Sequence, residues 1–360
     1  MLRERFDGMM RRLDVRRAIT PGIRLGQRLP PAPILDTRPD HEQADPAWIR
    51  KALAASQTRS AGGWFVLDAS IRCGVQPRSF WVRDRPLVVF RSGSQLVAAR
   101  DVCPHLGAAL SGGHVRAGRI VCPWHGRSFG AEPCEGYRPL PTFDDGRLAW
   151  VRLDEAGESS TAKPVLAVRP SYGLEGVIRV EARCEPTDVI ANRLDPWHGA
   201  HYHPHSFAWL HVLERGPDAI TVRVAYRVAW PWIVEVDARF DCPDSRTIVM
   251  TIVRGEGKGS VVETHATPTR GDHTAVVELT VANSDRTGFA VARALQPLLR
   301  PFVEYSARRL WVDDAAYAER LYALRASRRE PTRLRAAPAN VEPQPTDPVI
   351  DRDSPATQDG

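Results

Sequence analysis

Two short segments in the first half of the chain have the residue types and spacing to hold a metal cluster: Cys103-Pro-His105 and, after sixteen intervening residues, Cys122-Pro-Trp-His125. Thiolates are soft ligands and imidazoles borderline ones, so a two-iron, two-sulfur cluster can be held with both cysteines on one iron and both histidines on the other. Neutral imidazole in place of thiolate removes negative charge from the cluster. Its reduction potential rises into the range where it accepts an electron from a ferredoxin or flavin carrier and passes it onward. Gly107 and Gly126 follow the histidines closely and allow tight turns, while Pro104 and Pro123 stiffen the two loops. A zinc knuckle would accept the same ligand types, but the order Cys-x-His, Cys-x2-His lacks the paired-cysteine half that opens common zinc fingers.

A second constellation runs Asn192-Arg-Leu-Asp195-Pro-Trp-His198-Gly-Ala-His201-Tyr-His203-Pro-His205. The run resembles the mononuclear iron motif of Rieske oxygenases, which implies two imidazoles and one carboxylate on an octahedral Fe(II) with three positions open, so that dioxygen and substrate could meet at one metal. Spacing of i,i+5 does not put His198 and His203 on one face of an ideal helix. The site therefore needs a bulged or ending helix, and Pro204 directly after His203 suits a helix that ends there. Asp195 followed by Pro196 also reads as an N-cap and first helical residue opening the ligand helix.

The paired loops Cys103-Pro-His105-Leu-Gly-Ala and Cys122-Pro-Trp-His125-Gly resemble the Rieske domain of bacterial oxygenases over about residues 62 to 150. Arg127 stands where that family often carries an aromatic, which reads as a change in docking surface with the ligands kept. The extra cysteine pair of respiratory-type Rieske proteins is absent from these loops. Asn192, Asp195, His198 and His203 are similar to the mononuclear iron motif, Asn-x2-Asp-x2-His-x4-His, of Rieske non-haem iron oxygenases. The resemblance implies His198 and His203 as iron ligands, with His201, His205 and His211 as neighbouring or surface groups. It implies a third, carboxylate ligand near the start of a C-terminal helix. Trp311-Val-Asp313-Asp314 looks like that segment, and Asp314 is chosen, with Asp313 the alternative and ordinary helix-dipole partnership a further reading of the pair. It also implies a ring-shaped homotrimer in which electrons cross between subunits. Asp195 would bridge His198 to a cluster ligand of the adjacent copy, His125, with Asn192 supporting the bridge.

The elements that must position these groups follow from periodicity. Residues 1 to 18 alternate apolar and basic positions, as a short amphipathic helix does; a solvated basic face and contact with an anionic membrane surface are its two readings. Residues 21 to 40, rich in proline, read as an extended connector. From Gly62 come short β runs with turn residues, including a hairpin about Ser92-Gly-Ser. A second β-rich stretch, about Val165 to Ser284, has long alternating strands that imply an antiparallel sheet with one covered face. Residues 287 to 328 have helical period, with interruptions expected near Pro297 and Pro301. The last thirty residues contain six prolines and few large apolar side chains, the composition of a disordered tail. The expectation is an α+β chain: 1–61 amphipathic segment and connector, 62–155 all-β Rieske domain, 165–328 helix-grip-like catalytic sheet covered by C-terminal helices, 329–360 tail.

Six cysteines are too few and too scattered for a disulfide scaffold, which fits a reducing, cytoplasmic setting, and no apolar run approaches the roughly 18 residues that span a bilayer. The formal charge of +6 is spread along the chain without a basic block, so nucleic acid is not an expected partner. Cys73, Cys134, Cys184 and Cys242 are too dispersed for a ferredoxin cluster, and no Gly-x-Gly-x-x-Gly turn follows a strand. A separate ferredoxin or NAD(P)H-dependent flavin reductase is therefore the expected electron donor. Trp209, Trp230, Trp232 and Phe240 are candidates to line a cavity for an apolar ring or isoprenoid-like substrate, although aromatics on a half-buried sheet are also ordinary core. The expected function is O2-dependent oxidation of such a substrate. The alternative is a Rieske electron carrier whose second domain binds a ligand or partner without oxygenase chemistry. A zinc hydrolase built on His198 and His203 lacks the nearby glutamate base of His-Glu-x-x-His.

Overall fold

The computed structural model describes residues 23–26, 28–31, 36, 38–74, 76–154, 158–229 and 231–329. The amphipathic helix expected over residues 1 to 18, the tail beyond Arg329, and Trp230 lie outside them. In chain order the strands are β1 Ile23–Leu25, β2 Trp64–Ala69, β3 Arg78–Val82, β4 Arg85–Ser92, β5 Gln95–Arg100, β6 His114–Arg116, β7 Arg119–Val121, β8 Ser128–Phe129, β9 Pro139–Leu140, β10 Thr142–Asp144, β11 Leu148–Arg152, β12 Leu174–Ala182, β13 Phe207–Arg215, β14 Ala219–Ala229, β15 Trp232–Asp244, β16 Thr247–Gly255, β17 Val261–Pro268 and β18 Thr274–Ala282. The helices are α1 Asp40–Gln43, α2 Pro46–Gln57, α3 Pro186–Arg193, α4 His198–Tyr202, α5 Phe289–Ala294 and α6 Gln296–Arg329.

Strands β2 to β11 form three small sheets, ordered β10-β11-β2, β3-β4-β5-β9 and β6-β7-β8. Gly93, at φ +62°, makes the β4–β5 turn where the sequence places a hairpin. The later strands form one large sheet, β12-β18-β17-β16-β15-β14-β13, antiparallel throughout, with β1 pairing parallel to the start of β15. No helix among the described residues is long and apolar enough to cross a membrane.

Alternation along β17 and β18 explains how the two halves share a core. Val277, Leu279 and Val281 pack with Trp64, Val66, Leu148 and Trp150 of the small sheets. The intervening positions Val276 and Ala266 pack with Trp311, Ala315 and Ala318 of α6. Both faces of this end of the large sheet are thus covered, the helices on one side and the N-terminal strands on the other.

Two features differ from expectation. The connector holds a full helix, α2, whose start is set by Asp45: its side chain accepts a hydrogen bond from the Ala47 amide at 2.8 Å, with Pro46 in the first position. Of the two helix interruptions expected, the one near Pro297 is present, at Leu295 between α5 and α6, with Pro297 in the second position of α6, where no intrahelical N–H is needed. None occurs at Pro301, which is exposed and gives up a single bond inside α6.

A buried ionic chain stitches the halves together. Arg169 makes a two-pronged pair with Glu263 on β17 and reaches Asp145 at 2.7 Å, while Glu263 also meets His265 Nε2 at 3.2 Å. Burial alone would raise the Glu263 carboxyl, but the contacts from His265 and Arg169 outweigh it and hold it at about 2. Its folded pKa lies below the unfolded value, so its contribution is complete above about 4.5 and lost as pH falls toward about 2. Glu263→Gln is expected to lower unfolding free energy by on the order of 3 kcal/mol at neutral pH. In urea titrations the gap from wild type should shrink between those two pH values; a gap independent of pH would remove Glu263 as its source.

Candidate metal centres

The two N-terminal ligand loops are built alike. The Cys103 amide donates to Ala108 O at 2.8 Å and the Gly107 amide returns to Cys103 O at 2.9 Å. In the second loop the Cys122 amide donates to Arg127 O at 2.8 Å and the Gly126 amide to Cys122 O at 3.1 Å. Both glycines have positive φ, +84° and +72°, which a side chain would strain. Each loop therefore buries its cysteine and projects its histidine outward. The imidazoles of His105 and His125 meet edge to face with centroids 4.9 Å apart, beside the exposed side chains of Leu106 and Trp124.

The thiols of Cys103 and Cys122 share a hydrogen bond. Burial would raise Cys122, but amides of Trp124 and His125 and the Cys103 thiol hold it below the usual range. Two thiols, two imidazoles and amides aimed at sulfur suit a [2Fe-2S] cluster. Arg127 is exposed, its guanidinium 5.4 Å from the Phe129 ring.

The second centre is assembled by α3, α4 and α6. Helix α4 ends at Tyr202, and His203 leaves it with φ −118° and ψ 54°. That exit turns His203 back toward His198, with ring centroids 5.2 Å apart, which resolves the i,i+5 spacing. Asp314, on the middle of α6 and not at a helix start, is 1% exposed. Its Oδ1 lies 3.1 Å from His198 Nε2 and 2.9 Å from His203 Nε2. Ligands at roughly 2.1 Å and right angles around one ion would be about 3.0 Å apart, so the three groups fit adjacent positions of a divalent metal. A set of two imidazoles and one carboxylate is the donor set that would suit a non-haem Fe(II).

Electrostatics are consistent with a cation site. Burial would raise Asp314, but the two imidazoles outweigh it and hold the carboxyl well below its usual range. Burial would lower His198, but the neighbouring carboxylates of Asp195 and Asp314 outweigh it and raise it to about 9, and His203 is raised by Asp313 and Asp314 in the same way. Asp313 stands 3.7 Å from His203 Nδ1, on the far edge of that ring from Asp314.

Other residues singled out from sequence fall as follows. Asn192 donates to Asp314 Oδ1 at 3.1 Å, so within this chain it supports the carboxylate ligand and not Asp195. Asp195 does not cap α4, which begins with Trp197 as its flanking residue and has no side-chain cap. Instead Asp195 Oδ2 accepts from the Tyr317 hydroxyl at 3.1 Å and lies 3.6 Å from His198 Nδ1. His201 is exposed and pairs with Asp40 at 2.7 Å. His211 is exposed beside Trp209, and His205 lies next to His203 with centroids 6.0 Å apart.

Besides the triad, the cavity there is lined by Phe207, Leu210, Phe240 and Leu310, with Arg193 also in its wall. Trp209 and Trp232 are not among its walls: Trp209 has the opposite strand parity to Leu210, and Trp232 sits exposed at the first residue of β15. Behind the triad, buried Glu278 accepts from Trp311 Nε1 at 2.6 Å, Arg193 at 3.0 Å and Thr264 at 3.1 Å. It thereby ties α6 and α3 to β18 next to Asp314 and Asn192. From sequence alone Glu278 has no assigned role, and Trp311 none beyond opening the Asp313–Asp314 segment; the available signal is a carboxylate at a core-facing position of an apolar strand. Trp311→Phe removes one donor from a buried carboxylate and is expected to cost about 1–3 kcal/mol in urea unfolding. An unchanged midpoint would show that this bond contributes nothing.

Cluster loops on a small β domain, followed by a helix-covered antiparallel sheet with a two-histidine, one-carboxylate set, are the architecture of the Rieske non-haem iron oxygenases. Comparison with known proteins places the chain beside that class. Residues 64–141 match the Rieske [2Fe-2S] domain, and residues 155–329 match a domain of unknown function, DUF5914. The oxygenase component of dicamba O-demethylase from Stenotrophomonas maltophilia is 28% identical over 158 residues, 39% of this chain and 46% of that one. The 4beta-methylsterol monooxygenase of Methylococcus capsulatus is 31% identical over 99 residues, 26% of each chain. The chain thus spans less than half the length of these curated relatives. Dicamba monooxygenase bound to dicamba superposes with a TM-score of 0.56 at 19% identity, over 74% of this chain and 89% of that one. The terminal oxygenase of carbazole 1,9a-dioxygenase from Novosphingobium sp. KA1 gives 0.50 at 13% identity, over 80% and 90%. By sequence and by fold the chain is similar to Rieske non-haem iron oxygenases.

Proposed function

We propose that this chain is the oxygenase component of a multi-part system that oxidises an apolar ring or isoprenoid-like substrate with O2, electrons being supplied by a separate ferredoxin or flavin reductase. The observation that carries it is the convergence of His198, His203 and Asp314 beneath an apolar-walled cavity, in a chain that also holds the four cluster ligands. When bound, a [2Fe-2S] cluster delivers single electrons and a ferrous ion uses them to activate dioxygen for insertion into an unactivated carbon. Cys103, His105, Cys122 and His125 would hold the first, and His198, His203 and Asp314 the second.

The protein's own part is positional. Phe207, Leu210, Phe240 and Leu310 favour an apolar substrate and exclude water, and Asn192 holds the Asp314 carboxylate in register. In a homotrimer, Asp195 would connect His198 to His125 of the neighbouring copy. Two observations support that reading: the imidazole tip with Leu106 and Trp124 is exposed, and Asp195 Oδ1 is buried without a hydrogen-bond partner among the described residues. The six cysteines are unpaired, which suits the reducing cytoplasm.

Metal analysis after anaerobic reconstitution tests the proposal. The expected content is three irons and two labile sulfides per chain; two of each would instead favour an electron carrier. The reduced protein, given labelled dioxygen and a panel of apolar ring and sterol-like compounds, is expected to place label in a product.

A further inference from the structure

Tyr317 stands three residues beyond Asp314, one turn along α6, and touches the metal centre in two ways. Its ring stacks on the His198 imidazole, with centroids 5.2 Å apart and planes within 15°. Its hydroxyl donates to Asp195 Oδ2 at 3.1 Å. The same oxygen lies 3.6 Å from His198 Nδ1, beyond hydrogen-bonding reach, and the Nδ1 atom has no other partner among the described residues.

A ligand imidazole needs its second nitrogen oriented by an acceptor, or neither its tautomer nor its ring angle is set. The carboxylate placed to do this for His198 is Asp195, and the group holding it is Tyr317. Asp195 follows a helix end and no side chain other than Tyr317 donates a hydrogen bond to it within the described residues. Without the hydroxyl, the carboxylate is free to swing about its own χ angles. One helix therefore supplies both the carboxylate ligand and the clamp on the opposite side of the His198 ring.

We propose that Tyr317 is a positioning residue for the mononuclear metal site: its ring fixes the plane of His198, and its hydroxyl holds Asp195 at the distance from which that carboxylate orients His198. The proposal rests on the metal-site reading above. It assigns Tyr317 no contact with substrate.

Cobalt(II) alone is a suitable probe, because it is counted separately from the cluster's iron. Chelator-treated protein with its cluster intact is dialysed to equilibrium against cobalt(II), and bound metal is measured by atomic spectroscopy. Wild type is expected to bind one cobalt per chain; no binding by wild type would overturn the metal-site reading itself. Tyr317→Phe, which keeps the ring, is expected to bind about tenfold more weakly, and Tyr317→Leu more weakly still. Both variants should keep the cluster's visible absorption, and loss of that absorption would count against a role confined to this centre. Adding Tyr317→Phe to Asp195→Ala should cause no further loss, since the hydroxyl acts only through that carboxylate. Wild-type affinity in Tyr317→Phe, or losses that multiply in the double variant, would overturn the assignment and leave Tyr317 as packing.

Discussion

His198→Ala is expected to remove the third iron from each chain and to lower O2-dependent substrate oxidation by more than about a hundredfold, while the cluster remains. The reasoning is geometric. Asp314 Oδ1 and His203 Nε2, 2.9 Å apart, would be left as a two-point site, and two ligands hold a ferrous ion poorly against water. The cluster loops share no core with this region: Cys103 and Cys122 pack with Val88, Phe90, Ile120 and Phe129, whereas the ligand helices pack against the large sheet. Iron analysis should fall from three to two per chain, with the visible absorption and reduced-state magnetic resonance signal of the cluster unchanged. Simultaneous loss of both centres would show that they are not separate.

What could be read in advance depended on how local the information was. The cluster ligands lie in two short loops whose glycines and prolines state their own turns, and the strand alternation from Thr221 to Val281 is a property of consecutive residues. The i,i+5 histidines were legible as a problem, and the helix ending at Tyr202 is its answer. The resemblance points to Asp314 but implies a helix start for it, whereas it stands in the middle of α6, because Pro301, near the beginning of an exposed helix, costs one hydrogen bond and does not break it. Contacts between distant segments were not legible. Tyr317 meets Asp195 across 122 positions and Trp311 meets Glu278 across 33, and no periodicity encodes such a meeting. The tryptophans misled for a related reason. Size and type suggested cavity walls, but the irregularity in β13 between Phe207 and Trp209 puts Phe207 and Leu210 on the site's face and Trp209 on the other.

Asp195→Asn is expected to retain all three irons at saturating ferrous ion, yet to slow electron transfer from cluster to mononuclear site by about ten- to a hundredfold. The substitution preserves shape and removes charge. In the native chain the carboxylate offers Oδ2 toward Tyr317 and His198, and keeps Oδ1 buried with no partner among the described residues. A buried carboxylate oxygen left that way costs free energy, so it is informative about what is missing. A protonated ring nitrogen of His125 from an adjacent copy would satisfy it. An amide can present nitrogen or oxygen to that position but supplies no charge to hold an imidazole N–H, so the junction loosens while every metal ligand remains. Stopped-flow recovery of the cluster's absorption, after reduced protein meets dioxygen, reads the step directly. A wild-type rate would discard Asp195 as the junction. If iron is lost instead, its work lies wholly in orienting His198.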